Sequence, residues 1–178
     1  MAQSKPRRLG REALREYALR ALGGRAHSVS ELAEKLRRRA EREEDVKEVL
    51  AALKERGYLD DRAYARLFAS ARLENQGFGR ARVLRDLRAR RVAPAVAEQA
   101  VKAAYSGVDE TALIEAFLKR KCRSVSLDTY LAEPKNMASA YRKLRLAGFT
   151  SAGVIRVLKR HSERAEDLES LEPEEPET

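Results

Sequence analysis

The sequence predicts an all-α protein, an elongated tandem array of three three-helix units followed by an acidic tail. The chain has 178 residues, of which 37% are charged and 6% aromatic, and it has no Trp. This composition is typical of helices with much exposed surface, and it favours several thin cores over one deep core. A three-helix pattern of apolar residues at helical spacing occurs three times along the chain. Such tandem repeats are typical of proteins that bind along an extended partner.

Turn and cap residues divide the chain into five predicted segments. They are a flexible basic arm over 1–10, three-helix units over 11–58, 59–107 and 108–162, and an acidic tail over 163–178. Matching leucines in the three second helices (Leu36, Leu87, Leu144) lie 51 and then 57 residues apart. Matching valines in the third helices (Val46, Val96, Val154) lie 50 and then 58 apart. We attribute the longer second interval to an enlarged loop over 126–135.

Unit one consists of three short helices. The first runs over 11–22 and stops at Gly23-Gly24, and the second opens with Ser28 and Glu31 at capping-box spacing. The third begins near Glu44. The apolar faces are, in order, Leu14, Tyr17, Ala18, Ala21 and Leu22; Leu32, Leu36 and Ala40; and Val46, Val49, Leu50 and Leu53.

Unit two repeats this order. Its first helix begins at Asp60 and ends around Gly77 or Gly79, and Pro94 suits the first turn of its third helix. The third helix ends near 105–107. The predicted apolar faces are Tyr64, Leu67, Phe68 and Ala71; Val83, Leu84 and Leu87; and Val96, Ala100 and Ala103.

Unit three has the same plan. Asp109 caps the first helix, Gly148 stops the second, and Ser151 opens the third. The predicted apolar faces are Leu113, Phe117 and Leu118; Tyr141, Leu144 and Ala147; and Val154, Val157 and Leu158.

A hinge joins units one and two at residues 57–61. Gly57 can adopt the left-handed conformation that ends a helix, with Tyr58 and Leu59 docking on its last turn. Asp60 or Asp61 can then accept hydrogen bonds from the free N–H groups of the next helix. Capping is a simpler interpretation of this acidic pair than metal binding, because other oxygen donors are lacking nearby.

The charge distribution favours polyanionic partners. The formal net charge is +9, but residues 163–178 contain eight acids and one base, so residues 1–162 carry about +16. Such a field attracts nucleic acid and acidic protein surfaces. A soluble helical protein from an arginine-rich proteome is the alternative that charge alone leaves open.

The sequence offers no chemistry for catalysis. It contains no phosphate loop, metal-ligand cluster or nucleophile–base pair, so we expect no enzyme, cofactor or metal. His27 and His161 are interpreted as loop and surface residues, and Cys122 as a plain cysteine that excludes an intrachain disulfide. No apolar run approaches the length of a membrane span, and residues 1–10 lack the apolar region of a signal peptide. We expect a cytoplasmic monomer that does not bind membranes.

One helix in each unit carries a basic cluster. In unit two, Arg82, Arg85 and Arg88 fall on the arc opposite the buried face, and Arg90 and Arg91 add charge at the helix end. The corresponding residues are Arg37, Arg38 and Arg39 in unit one, and Arg142, Lys143 and Arg145 in unit three. Guanidinium groups match both phosphates and carboxylates, although a solvated helix face gives the same pattern.

Three motifs occur in order along the chain. They are Ser-x-x-Glu-Leu-x-x-Lys-Leu from Ser28 to Leu36, Gly57-Tyr58-Leu59-Asp60-Asp61 followed by Tyr64-Ala65, and Gly77-Phe78-Gly79-Arg80 leading to Leu84 and Leu87. With the three tandem units, they resemble the RecX family over residues 11–162, most strongly over 28–105. The chain departs from that family in the residues Gln76-Gly77, where a Lys-Gly pair is common, and in its acidic tail.

The resemblance implies a non-enzymatic regulator of the RecA recombinase. It implies binding in the helical groove of the RecA–DNA filament and inhibition of strand exchange, ATPase and coprotease activities, with roles in DNA repair, recombination and the SOS response. Weak electrostatic binding to single- or double-stranded DNA is also expected. The candidate contact residues are Arg62, Arg66, Arg72, Arg80, Arg82, Arg85, Arg88, Arg90 and Arg91.

Two other functions remain open from the residues. An autonomous DNA-binding protein could use the three-helix units as helix-turn-helix modules, although Asn, Gln, Ser and Thr, which read bases beside Arg, are scarce on the basic helices. An RNA- or ribosome-associated helical adaptor also fits the composition.

Overall fold

The computed structural model describes residues 8–121 and 126–161 and confirms the all-α fold class. The α-helices are α1 (Arg11–Gly24), α2 (Val29–Arg37), α3 (Glu43–Glu55), α4 (Asp61–Ala71), α5 (Arg80–Ala89), α6 (Pro94–Ala104), α7 (Glu110–Lys121), α8 (Leu127–Leu131), α9 (Pro134–Leu146) and α10 (Ser151–Lys159). A π-helical turn, Arg72–Gln76, follows α4. Three predicted features lie outside the described residues: most of the basic arm (1–7), Cys122, and the acidic tail.

The helices pack into two compact bodies. The N-terminal body contains the described residues up to Phe68 together with Asp86–Ala100. The C-terminal body contains Ala69–Arg85 and the described residues from Val101 onward. No helix in the described part of the chain is long and apolar enough to cross a membrane.

The N-terminal body is built on the predicted stripes of α1, α2 and α3. The predicted capping box opens α2, since the Ser28 side chain accepts from the Glu31 N–H and the Glu31 carboxylate accepts from the Ser28 N–H. Before α1, the Leu9 N–H donates to the Arg39 carbonyl at 2.7 Å and ties the chain to the end of α2. The buried core includes Leu14, Ala18, Leu32, Leu36, Ala40, Val46, Val49, Leu53 and Leu59.

The C-terminal body packs α7, α8, α9 and α10 around a more aromatic core. Phe117 and Phe149 meet edge to face, with ring centroids 5.7 Å apart. The segment predicted as an enlarged loop contains α8, whose Leu127 and Leu131 are buried in this core. The loop prediction is therefore wrong at 127–131, because these two leucines gain enough burial to order a short helix.

The π-helical turn changes how the first helix of unit two ends. α4 stops at Ala71, and the wider turn then runs to Gln76, before Gly77 adopts a left-handed conformation with φ +60°. Helical spacing predicts Leu67 on the apolar face, but Leu67 is 70% exposed, so this prediction is wrong. The buried positions of α4 are Tyr64, Ala65 and Ala69.

Matching residues of the third helices (α3, α6 and α10) have the same spacing along the chain as the matching leucines of the second helices. Val96 is half-buried, whereas Ala97 is fully buried and is the fourth residue of α6, as Val46 is of α3 and Val154 of α10. The matching set Val46, Ala97 and Val154 is spaced by 51 and 57 residues, as the leucines are. The predicted match at Val96 is therefore wrong by one residue. Ala103, which the sequence places on the same apolar face as Val96, is exposed.

Candidate binding residues

The hinge between α3 and α4 consists of capping interactions. Gly57 has φ +74°, as predicted, and the Tyr58 N–H donates to the Leu53 carbonyl. Asp60 accepts hydrogen bonds from the N–H groups of Arg62 and Ala63 at 2.7 and 3.2 Å, which caps α4. The predicted docking of Tyr58 is wrong, because its side chain is 58% exposed.

Asp61 caps a different helix from the one expected. Its carboxylate accepts from the Val29 N–H at 2.8 Å, at the first residue of α2. The two adjacent carboxylates therefore serve the N-termini of two helices, where the helix dipole favours negative charge. Both are engaged by backbone donors, and no group of three His, Cys, Asp or Glu side chains in the described residues could hold a metal ion.

Glu31 links the first motif to the second. Its carboxylate accepts from the Ser28 N–H at 3.1 Å and from the Tyr64 hydroxyl at 3.3 Å, and it lies 3.5 Å from Arg25 and 3.8 Å from Arg90. Burial alone would raise the pKa of this carboxyl. The Ser28 hydrogen bond and the two guanidinium charges outweigh burial and lower the pKa, so Glu31 is held as the anion.

Arg90 and Arg91 sit at the end of α5 within the N-terminal body. The Ser28 hydroxyl donates to the Arg90 carbonyl at 2.7 Å, and the Arg90 guanidinium lies 4.6 Å from the centroid of the Phe68 ring. Arg91 has φ +55° and accepts from the Ser30 hydroxyl through its carbonyl at 3.4 Å. The Arg90 guanidinium is thus engaged inside the body, while the Arg91 side chain is exposed.

The third motif packs backbone against backbone in the C-terminal body. The Gly79 N–H donates to the Ala147 carbonyl at 2.8 Å, and the Ala81 N–H donates to the Gly148 carbonyl at 3.2 Å. A Cβ atom at Gly79 would lie 2.2 Å from the Gly148 oxygen. Glycine at this place therefore allows the two backbone segments to approach closely.

Two candidate arginines flank one aromatic ring in the same body. Arg72 and Arg82 lie over the half-buried Phe78 ring, at 5.9 and 5.4 Å from its centroid. Arg82 is half-buried, not fully outward as the helical wheel predicts. These cation–π contacts fix the direction of both guanidinium groups.

Arg80 and Arg85 hold backbone carbonyls. Arg80 donates to the Tyr105 carbonyl at 2.8 Å, and Arg85 donates to the Leu146 carbonyl at 3.0 Å. The Tyr105 hydroxyl in turn donates to the Phe78 carbonyl at 2.6 Å, and burial raises the pKa of Tyr105 to about 12. These two arginines therefore stabilise the packing of the C-terminal body.

The repeated basic position has a repeated structural role. Arg88 lies 3.5 Å from Glu98, and its counterpart Arg37 lies 2.8 Å from Glu43. The third counterpart, Arg145, donates to the Phe149 carbonyl at 3.0 Å. In each repeat, this arginine joins the second helix to residues at or near the start of the third.

Three of the nine candidate arginines have exposed side chains with no side-chain partner among the described residues. They are Arg62 and Arg66, one turn apart on α4, and Arg91. The sequence identified these residues by charge, but it could not separate them from arginines that bond distant carbonyls.

A cleft of about 270 Å³ lies in the C-terminal body. Arg80, Tyr105, Glu110 and Thr150 are among its lining residues. Glu110 already accepts from the Thr150 N–H at 2.9 Å and from the Thr150 hydroxyl at 2.5 Å. Because these polar groups bond each other, the cleft offers few free groups to a ligand.

The chain is similar to known proteins both in sequence and in fold. Family models match residues 15–53 as the first and residues 60–101 as the second three-helix domain of RecX. A crystal structure of RecX from Lactobacillus salivarius superimposes with a TM-score of 0.63 at 15% identity, covering 85% of this chain and 96% of that chain. At this identity, the structural match shows the fold alone.

Several relatives carry the name regulatory protein RecX. The one from Halorhodospira halophila is 40% identical over 62% of this chain and 66% of its own length. The one from Deinococcus radiodurans is 39% identical over 65% of this chain and 55% of its own length. The chain thus matches less than two thirds of these two relatives. The one from Pelodictyon phaeoclathratiforme is 30% identical over 76% of both chains. On this similarity, together with the two matched domains, the chain belongs to the RecX family.

Proposed function

We propose that this protein is a non-enzymatic regulator that binds in the groove of the RecA–DNA filament and inhibits the recombinase, ATPase and coprotease activities of RecA. The observation that carries the proposal is family membership, since its relatives are named regulatory protein RecX. The division into three-helix units at 11–58, 59–107 and 108–162 is part of the proposal, because a repeated unit suits a partner that is itself a repeat.

Two exposed guanidinium groups on α4 support an electrostatic contact with the filament. Arg62 and Arg66 lie one turn apart on α4, and both are exposed. Arginine forks bind either the carboxylates of a protein subunit or the phosphates of DNA. The arginines that bond carbonyls or rings carry positive charge whose direction those contacts hold: Arg90 in the N-terminal body and Arg72, Arg80, Arg82 and Arg85 in the C-terminal body.

The exposed face of α3 argues against an autonomous helix-turn-helix protein. In such a protein, the last helix of a three-helix unit enters the major groove. The exposed charged residues of α3 are four acids (Glu43, Glu44, Glu48, Glu55) and two bases (Lys47, Lys54). Glu43 and Glu48 are paired with Arg37 and Arg11 at 2.8 and 2.9 Å, and the remaining exposed charges of α3 cancel. A helix without a positive face gains little attraction from duplex phosphates, so the first unit is poorly suited to reading DNA by itself.

The test compares naked with coated DNA. We expect tighter binding to labelled single-stranded DNA coated with RecA and a slowly hydrolysed ATP analogue than to the same strand alone, at physiological salt. In a parallel sample with ATP, the protein should lower the RecA ATPase rate. Equal or tighter binding to naked DNA with an unchanged ATPase rate would replace the proposal with autonomous DNA binding.

A matched pair of double variants tests the free arginines. The variant Arg62→Ala with Arg66→Ala removes two charges from α4, and the control Lys47→Ala with Lys54→Ala removes two exposed charges from α3. We expect only the α4 variant to weaken binding to the coated strand, by roughly tenfold. Equal losses in both variants would mean that net charge, not α4, governs binding.

A further inference from the structure

Leu67 is an apolar side chain on the outer face of α4. It is 70% exposed, whereas Tyr64, Ala65 and Ala69 of the same helix are buried. The core therefore gains almost nothing from a leucine here. Single exposed leucines are common on proteins, so exposure alone does not mark this position as a binding residue.

The helices α1 and α7, which match α4 in the repeat, have no leucine at the position of Leu67. The buried pair Ala65 and Ala69 of α4 matches the buried pairs Leu14 and Ala18 of α1 and Ile114 and Leu118 of α7. In this register, the position of Leu67 is occupied by Glu16 in α1 and Ala116 in α7, both exposed. Two matching helices thus fold with a charged or small residue at this place, and the fold itself does not require leucine.

The exposed side of α4 carries two arginines as well as Leu67. Arg66 precedes it, Arg62 lies one turn before Arg66, and neither arginine has a side-chain partner among the described residues. No acidic residue occurs between Arg62 and Phe68. The outer face of α4 therefore combines one large apolar side chain with two free guanidinium groups.

We infer that the outer face of α4 (Arg62, Arg66 and Leu67) docks on a protein subunit that presents an apolar pocket bordered by carboxylates. A phosphate backbone would satisfy the arginines but would give Leu67 nothing apolar to bury against. A carboxylate-rimmed pocket satisfies all three side chains, and the pairing resembles a buried anchor with a charged rim. This inference rests on the proposed function, in which that subunit belongs to the recombinase filament.

The test substitutes each of two exposed leucines. Leu67→Ser removes the proposed anchor, and Leu146→Ser, at a leucine that is 64% exposed on α9, is the matched control. We expect Leu67→Ser to weaken binding to the recombinase-coated strand about tenfold and to leave binding to naked single-stranded DNA unchanged. Leu67→Met should retain wild-type binding, and Leu146→Ser should behave as the wild type. Unchanged helicity and melting temperature would show that each variant is folded.

The other outcomes separate this inference from the proposed function. Wild-type preference for the coated strand that survives in Leu67→Ser would overturn the α4 docking surface and leave the regulator proposal standing. Equal losses on coated and naked strands would assign α4 to DNA and overturn the protein contact. A wild-type oligomer that Leu67→Ser dissociates in sedimentation would make a second copy of the chain the occupant and overturn the inference. A wild type with no preference for the coated strand would overturn both.

Discussion

Gly79 and Gly148 meet where two backbone segments of the C-terminal body touch. A Cβ atom at Gly79 would lie 2.2 Å from the Gly148 oxygen, and one at Gly148 would lie 2.2 Å from the Arg82 nitrogen. Neither obstacle is the flexible end of a side chain, so relief requires the backbone to move. Gly148 also has φ +91°, a conformation that is strained for other residues.

We predict that Gly79→Ala destabilises the protein by about 2 kcal/mol or more, since the clash is with backbone. Gly23→Ala is the matched control, because Gly23 lies in α1 and has no atom within 4 Å of the added methyl. We expect the control to stabilise slightly, by about 0.5 kcal/mol. Urea unfolding of both variants measures the difference, and similar stabilities would contradict the close backbone packing.

His27 is a buried histidine held in its neutral form. Its side chain is 5% exposed, its Nδ1 lies 2.8 Å from the Arg25 carbonyl, and its Nε2 is buried with no partner among the described residues. The carbonyl requires a proton on Nδ1, so protonation would add a second N–H without an acceptor. Burial lowers the pKa of His27 below 6.5, although the bond to the Arg25 carbonyl opposes the shift.

This pKa shift predicts a loss of stability in mild acid. Because the folded-state pKa lies below the unfolded value of 6.5, the stability contributed by neutral His27 is fully present above that value. It is lost as the pH falls through the folded-state pKa. We expect the wild-type melting temperature to fall more between pH 7.5 and pH 5.5 than that of His27→Asn, which keeps a donor for Arg25. Parallel pH profiles of the two proteins would assign the loss to other groups.

At the scale of helices, the Ser28 side chain makes two hydrogen bonds, one that caps α2 and one to the chain after α5. Its buried side chain accepts from the Glu31 N–H at 3.1 Å and donates to the Arg90 carbonyl at 2.7 Å. Ser28→Ala removes a cap and leaves a buried carbonyl without this donor. We predict a loss of about 2 kcal/mol in the free energy of unfolding.

Ser126 provides the comparison for Ser28. It also caps a helix, through the Thr129 N–H at 3.2 Å, but it is exposed and bonds only locally. We expect Ser126→Ala to cost less than about 1 kcal/mol, since water can replace the lost acceptor. Equal losses for the two variants in chemical denaturation would show that the bond to Arg90 contributes nothing beyond capping.

Helices with local signals could be predicted from the sequence. Ser28 and Glu31 are three residues apart, so the capping box is readable without knowledge of the fold, and Gly57 marks the end of α3 in the same way. The second helices were found because Leu36, Leu87 and Leu144 keep a constant register. The five-residue α8 was missed, because it depends on tertiary burial of Leu127 and Leu131.

The roles of the candidate arginines were only partly predictable. Helical spacing finds the outer arc of α5, but the partners of its arginines lie far along the chain. The Leu146 carbonyl that Arg85 bonds is 61 residues away, and the Tyr105 carbonyl that Arg80 bonds is 25 residues away. Helical spacing predicts Leu67 in the core because a period of 3.6 places it about 60° from Tyr64, at the edge of a broad apolar stripe.

At the scale of the whole molecule, the charge is distributed unevenly along the sequence. The full chain carries +9, and the segment 163–178 carries eight acids and one base, so its removal leaves about +16. Long-range attraction to a polyanion grows with net positive charge and is screened by salt. We therefore expect the acidic segment to weaken non-specific binding to nucleic acid.

We predict that a chain ending at residue 162 binds naked single-stranded DNA more tightly than the full chain and loses that gain as salt is raised. The slope of log affinity against log salt should be near −0.7 for each phosphate contacted, and steeper for the shortened chain. Binding to the recombinase-coated strand should change less, because a protein contact at α4 includes the apolar Leu67, which salt does not screen. Fluorescence anisotropy over a salt series on both targets measures these slopes. Identical slopes for the two chains on naked DNA would show that the acidic segment does not compete with nucleic acid for the basic residues.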